Sequence, residues 1–351
     1  MRADRRTARL NLALQGGGAH GAFTWGVLDR LLEEPELDIG WLSGTSAGAV
    51  NAVATAAGLA AGGRSEARVV LKAVWQAVER AGVPDLVRLN PIVATLTSAA
   101  QVANVGALLS PYDLPGLNPL RDLLTAHIPF GALAEAGPDL LIAATDVATG
   151  RARIFRRHEM TVEHVLASAC LPSLHRAVEI AGRAYWDGGF SANPDLVTLA
   201  SESPVQDTLI VELNPLENPH RPRTAAGIAG RISEIAFNQP YLRDLEMIAA
   251  AKEARLGLLA RAHGSRVSRL KRHRFHLIAA GRYTAELGSA SKVRPDGRLL
   301  SYLFAAGRDE ADRWLATHKD AIGRRATLDI AGRLAGAGSD DGAGQSHPET
   351  G

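Results

Sequence analysis

The stretch Leu10-Asn11-Leu12-Ala13-Leu14-Gln15-Gly16-Gly17-Gly18-Ala19-His20-Gly21 passes from an alternating apolar segment directly into three glycines. Leucines at every second position suit a strand of about five residues, one face buried. Residues 22–34 then carry Phe23, Val27, Leu28, Leu31 and Leu32 at helical spacing, and Pro35 stops the helix. The pattern repeats at once. Residues 39–42 form a second strand candidate, Gly44-Thr45-Ser46-Ala47-Gly48 a second glycine-flanked turn, and residues 49–59 a small-residue helix. Two strand–turn–helix units at the start of a chain predict an α/β fold. The expected architecture is a three-layer α/β/α sandwich around a mostly parallel sheet, with its site at the strand ends.

Further along, helices are expected at 64–81, 120–127, 162–169, 237–262 and 309–323. Strands are expected at 140–146, paired with 151–155, and at 183–186, 208–213 and 274–279. The proline-containing stretch 84–119 reads as an irregular flap, and 92–117 as an apolar mouth. Trp25, Trp41 and Trp186 fall near the glycine turns and read as core or site wall. The implied organisation is a basic arm (1–9), a core domain (10–215), a mainly helical extension packed on it (216–334) and a Gly/Ser/Asp-rich tail (335–351).

Composition narrows the function classes. The chain has 351 residues, 46% of them apolar, enough for a sizeable core. Lys+Arg exceed Asp+Glu by 39 − 37 = 2, too even a balance for a dedicated nucleic-acid binder, so no nucleic-acid partner is expected. The single cysteine, Cys170, allows no internal disulfide and no cysteine metal cage. No metal cluster is visible, and no cofactor is expected. The basic start of the chain lacks a following apolar run, so it reads as an arm and not a signal peptide. No segment offers about 20 strongly apolar residues. The expectation is a cytoplasmic protein able to touch a membrane surface.

Three constellations carry chemistry. Gly44-Thr45-Ser46-Ala47-Gly48 has the G-x-S-x-G spacing that holds a serine on a sharp strand-to-helix turn. Gly16-Gly17-Gly18 exposes unhindered backbone N–H groups at a helix start, suited to a phosphate or an oxyanion. Gly16, Gly18 and Gly21 also fit G-x-G-x-x-G, so a nucleotide-binding oxidoreductase is a rival reading. That rival needs Asp38 at the end of a second strand, yet Asp38 precedes Ile39, Trp41 and Leu42. Asp187-Gly188-Gly189 follows Ala184-Tyr185-Trp186, and alone it would read as a hairpin turn.

Together, in this order, the three motifs resemble those of the patatin-like acyl hydrolases, over roughly residues 10–194. A further similar block is Ala167-Ser168-Ala169-Cys170-Leu171-Pro172. The resemblance implies a patatin-like fold and a serine hydrolase cleaving lipid acyl esters, of phospholipase A or lipase type. It implies Ser46 as nucleophile, Asp187 as general base, and an oxyanion hole from Gly16, Gly17 and Gly18 with Ala47. Gly21, Gly44, Gly48, Gly188 and Gly189 would support these motifs. His20 stands where the family often has Arg or Lys; it would brace the loop, with a charge that depends on pH near neutrality.

Two alternatives bear on mechanism. His220, His263, His273 and His276 follow Asp187, in the order a Ser–Asp–His triad would need, although the last three lie in or beside a basic stretch and read as surface groups. A catalytically inactive lipid-binding protein is the other. The basic, partly apolar run 252–274 could lie against anionic lipid. The expected partners are thus a lipid or acyl-ester substrate and, peripherally, an anionic membrane.

Overall fold

The computed structural model describes residues 7–81, 119–172, 175–217, 221–255, 265–284, 287, 291–292 and 296–336. The expected mouth at 92–117, His220 and His263 lie outside them, as do most of the expected flap, the first six residues of the arm and nearly all of the tail.

The first two units form as the sequence dictates. Strand β1 (Ala8–Leu14) leads through the glycine turn to helix α1 (Gly21–Leu32), then β2 (Leu37–Thr45) and α2 (Ala47–Ala81). Within α2 lie two helices, as expected at 49–59 and 64–81, joined across a kink at Gly62 and Gly63, whose backbone angles are not helical. Next come α3 (Pro119–His127), β3 (Leu140–Asp146), β4 (Ala152–Arg156), α4 (Val162–Ser168), β5 (Val178–Ile180) and β6 (Arg183–Asp187). The chain continues through α5 (Leu196–Glu202), β7 (Asp207–Glu212), α6 (Ala225–Glu253), α7 (Arg266–Arg272), β8 (Arg274–Ala279) and α8 (Gly297–His318), single-turn helices aside. The arm expected over 1–9 is shorter by two residues, because Ala8 and Arg9 already pair with β2.

These strands make one eight-stranded sheet, ordered β5-β6-β3-β2-β1-β7-β8, with β4 also on β3. Strands β3, β2, β1, β7 and β8 are parallel to their neighbours in that run, while β4, β5 and β6 pair antiparallel. The segment after residue 215 contributes β8 to this sheet besides its helices.

Strand alternation divides the interior into two cores. Leu10, Leu12 and Leu14 of β1, Ile142 of β3 and Val211 of β7 face one side, with Phe23, Leu28, Val53, Leu71 and Leu303 from α1, α2 and α8. Ala13, Leu141 and Ile210 face the other, with Leu196, Tyr241, Leu245 and Leu270 from α5, α6 and α7. Each such leucine contributes about 1.5–3 kcal/mol through burial. The result is the three-layer α/β/α sandwich that the sequence pattern implies. Trp25 packs on the first core, stacked with Trp75, and Trp41 on the second.

Glycine sets the distance between α1 and α8. A Cβ at Gly26 would lie 2.0 Å from the Phe304 carbonyl oxygen, and one at Gly307 would lie 2.1 Å from that of Phe23. The two helices therefore touch backbone to backbone.

Candidate active site

Pairing along β3 brings distant residues together. Residues 141–145 of β3 pair with β4 on one edge. The opposite edge is shared: β2 pairs up to Thr45↔Ala143, and β6 takes over at Ala144↔Asp187. Asp187 thus occupies the next position after Thr45 on the same edge, beside Ser46, although 141 residues separate the two in sequence (187 − 46). The junction is tight. A Cβ at Gly188 would lie 2.2 Å from the Ala143 carbonyl oxygen and 3.0 Å from Thr45 Cγ2. Thr145 Oγ1 donates to the Asp187 carbonyl at 2.8 Å.

Ser46 sits on the turn between β2 and α2 with φ 54°. A non-glycine residue held there costs on the order of 1–3 kcal/mol, which the surrounding packing must offset. The flanking glycines are required by close approach. A Cβ at Gly44 would lie 2.5 Å from the Gly48 carbonyl oxygen, and one at Gly48 would lie 2.1 Å from that of Leu14. The Ser46 N–H donates to Ser168 Oγ at 3.0 Å. Ala47 is the first residue of α2, so its N–H has no acceptor within the helix.

Asp187 is fully buried. Its Oδ1 accepts the Gly189 N–H at 2.8 Å. Its Oδ2 has no hydrogen bond of regular geometry, yet the Ser46 hydroxyl lies close enough to favour the ionised form. Burial dominates and pushes the Asp187 pKa up to about 7, against the opposing pull of the Gly189 N–H and the Ser46 hydroxyl. The backbone N–H of Asp187 donates to the Cys170 carbonyl at 2.8 Å. Burial, helped by the neighbouring Asp187 charge, pushes the Cys170 thiol up to about 11.

The triple-glycine turn closes the site from β1. A Cβ at Gly16 would come within 3.0 Å of Ser46 Cβ. The Gly16 N–H donates to Asn193 Oδ1 at 2.8 Å, and its carbonyl accepts from Asn214 Nδ2 at 3.2 Å. Gly16 is therefore not free to act as an oxyanion donor, contrary to the expectation from sequence. The N–H groups of Gly17 and Gly18 have no acceptor among the described residues. Gly18 takes φ 57°, and a Cβ there would lie 2.2 Å from the Lys292 carbonyl oxygen. Gly21 packs against Ala47.

His20 is buried, with Nε2 at 2.7 Å from Ser291 Oγ. Burial, then the nearby Lys292 charge, lowers its pKa to about 4. The expectation of a charge that varies near neutrality is thus corrected, since a pKa lowered this far favours the neutral ring there, held against Ser291.

Several residues at the site carry no motif of their own. Ser168 and Asn193 fix the backbone beside Ser46 and at Gly16, and Gln15 Oε1 accepts from the N–H groups of Leu213 and Asn214 at 2.7 and 2.8 Å. Lys292 donates from Nζ to Asn214 Oδ1 at 2.6 Å, which puts a cation behind the glycine loop. Gln15 and Ser168 lay in stretches that the sequence singled out, whereas Asn193, Asn214 and Lys292 did not.

His273 and His276 are not surface groups. His273 Nε2 lies 2.7 Å from Thr208 Oγ1, and His276 Nε2 lies 3.2 Å from Asp207 Oδ1, both histidines being buried. They sit toward the N-terminal ends of β7 and β8, whereas Ser46 follows the C-terminal end of parallel β2. They lie at the wrong end of the sheet for a triad. Asp38 lies near the start of β2 and pairs with Arg64 at 3.1 Å, where it cannot serve the nucleotide reading.

Fold and site together define an α/β protein with a strained serine on a strand–helix turn beside a buried aspartate. The family model described as patatin-like phospholipase matches residues 12–200, more than half of the chain, and the chain belongs to that family. No curated protein matches it. Among solved structures it is similar to VipD from Legionella pneumophila, at 15% identity and TM-score 0.43, covering 88% of this chain and 67% of that one. It is also similar to ExoU in the heterodimeric ExoU–SpcU complex of Pseudomonas aeruginosa, at 17% identity and TM-score 0.28, covering 91% of this chain and 61% of that one. The chain thus spans about two thirds of the length of these proteins. No helix among the described residues is long and apolar enough to cross a membrane.

Proposed function

We propose that the protein hydrolyses lipid acyl esters through a Ser46–Asp187 dyad. One observation carries this reading: a fully buried carboxylate whose Oδ2 lacks a regular partner stands beside a serine held at positive φ. Free aspartate is a feeble base at neutral pH. With its pKa raised to about 7, Asp187 is ionised enough to act and basic enough to take a proton.

Ser46 Oγ attacks the ester carbonyl carbon while Asp187 takes its proton. The carbonyl oxygen becomes an oxyanion facing the N–H groups of Gly17, Gly18 and Ala47. Collapse expels the alcohol, which takes the proton back from Asp187, and leaves an acyl-serine. Water then attacks, its proton passing to Asp187 and on to Ser46 Oγ as the carboxylic acid departs.

A fluorophosphonate probe tests the assignment. It should label the wild type at Ser46 alone, and Ser46→Ala should lose both labelling and ester cleavage. Ester cleavage retained by Ser46→Ala would refute the dyad. A folded wild type that the probe does not label would favour the inactive lipid-binding alternative.

A further inference from the structure

Helix α6 crosses the rim of the site. Its Phe237 packs on the Asp187 turn: a Cβ at Gly189 would lie 2.2 Å from the Phe237 ring, and Phe190 meets that ring edge-on at 4.7 Å. Asn193, which holds the Gly16 N–H, donates from Nδ2 to the Phe237 carbonyl at 3.1 Å. On the opposite side of the same helix, Ile228, Ile232 and Ile235 recur at spacings of four and three and so share one face. They are 47%, 63% and 46% exposed. Phe190 adds an exposed aromatic at the same rim. From Thr224 to Gly230 the helix start carries no charge, and just before it stand Arg221 and Arg223, both exposed and without an acidic partner among the described residues.

An apolar stripe with cations at its end, over a site for lipid esters, is the pattern of a helix lying in a membrane interface. We propose that the outward face of α6, with Ile228, Ile232 and Ile235, docks on anionic phospholipid bilayers, Arg221 and Arg223 meeting the head groups. This rests on the lipid-ester reading of the site above. It moves the membrane contact away from the basic run 252–274. Within that run, α7 leads into the N-terminal end of β8, opposite the end of the sheet that bears Ser46, and its Arg266 and Arg269 bond to Ser201 of α5.

The test uses the full chain with Ser46→Ala, so that binding is read without turnover. The only native cysteine, Cys170, is buried, so Ile232→Cys can be labelled selectively with an environment-sensitive fluorophore. On vesicles of phosphatidylglycerol and phosphatidylcholine its emission should shift to the blue, while the same label at Tyr302→Cys on α8 should not respond. Ile228→Ser with Ile232→Ser should cut vesicle partitioning by at least about tenfold. Arg221→Gln and Arg223→Gln should each cost about fivefold on anionic vesicles and nothing on phosphatidylcholine alone. With Ser46 intact, the serine pair should still cleave a soluble short-chain ester.

An unresponsive label at 232, or undiminished binding by the serine pair, overturns the proposal. So does a dimer that buries the stripe in solution and leaves vesicles unbound. A protein that docks as described but cleaves no ester would instead count against the dyad alone.

Discussion

Replacing Asp187 by asparagine should end ester cleavage and yet stabilise the fold relative to wild type, increasingly so as pH rises. The carboxylate is out of contact with solvent, and burial lifts its pKa from 3.8 to about 7. A folded-state value above the unfolded one means that the native protein holds this proton more tightly. The stability linked to it is fully present below the unfolded value and is lost as pH rises through about 7. A displacement of about three units corresponds to about 4 kcal/mol lost at alkaline pH, of which about 2.5 kcal/mol goes between pH 5 and pH 8. Asparagine keeps the shape and an oxygen for the Gly189 N–H but has no charge to bury. Urea unfolding of both proteins at the two pH values gives the difference directly, because the other titrating groups are common to both and cancel. The mutant-minus-wild-type stability should grow by about 2–3 kcal/mol between the two. A difference that is flat with pH, or that shrinks, would show that the wild-type carboxylate bears no burial penalty, and the argument for it as a base would fail with it.

Further outcomes follow from the same geometry. Initial rates on a soluble ester should rise with pH along a limb centred near 7, set by Asp187, and a midpoint near 4 would point to the ordinary range of an exposed carboxylate. Ser168→Ala should leave the buried Ser46 N–H without its acceptor and lower unfolding stability by about 1–3 kcal/mol, measured by denaturant titration. Gly307→Ala should cost about 1–3 kcal/mol by pressing on the Phe23 carbonyl, whereas Gly281→Ala, with open space around it, should cost nothing, as thermal melts of the pair would show. Lys292→Met should lower kcat on the soluble ester by removing the cation that holds Asn214 behind the glycine loop. Lys292→Arg should restore most of it, and a change confined to KM would argue against that role.

Local patterns were legible in the sequence, and long-range partners were not. The leucine alternation in β1, the two glycine turns and β8 at Arg274–Ala279 could be read because strand period and turn chemistry are local properties. Helices α6 and α8 each begin 12 residues before the expected start, at 225 against 237 and 297 against 309. In α6 the isoleucines of the early turns face outward, so the apolar face pointed away from any core. In α8 the buried face includes Gly307, which lends no hydrophobic signal although its missing side chain lets the helix approach the Phe23 carbonyl. Basic neighbours also misled. Arg274 pairs with Asp207 and Lys252 donates to the His273 carbonyl, so charge that looked like a solvated surface covers two buried histidines. At the site, the serine, the aspartate and the glycine loop carried their own motifs, whereas Asn193, Asn214 and Lys292 act through partners between 44 and 198 positions away.

The shared edge of β3 has a consequence for how this scaffold tolerates change. The hydroxyl sits one residue past the last rung of β2 on β3 and the carboxyl on the next rung, made by β6, so their separation is set by strand pairing along β3 and is indifferent to how much chain loops out between them. Insertions or deletions elsewhere leave that spacing alone. A slip of β2 or β6 by a single residue shifts it by about 3.3 Å and turns the side chain to the other face of the sheet.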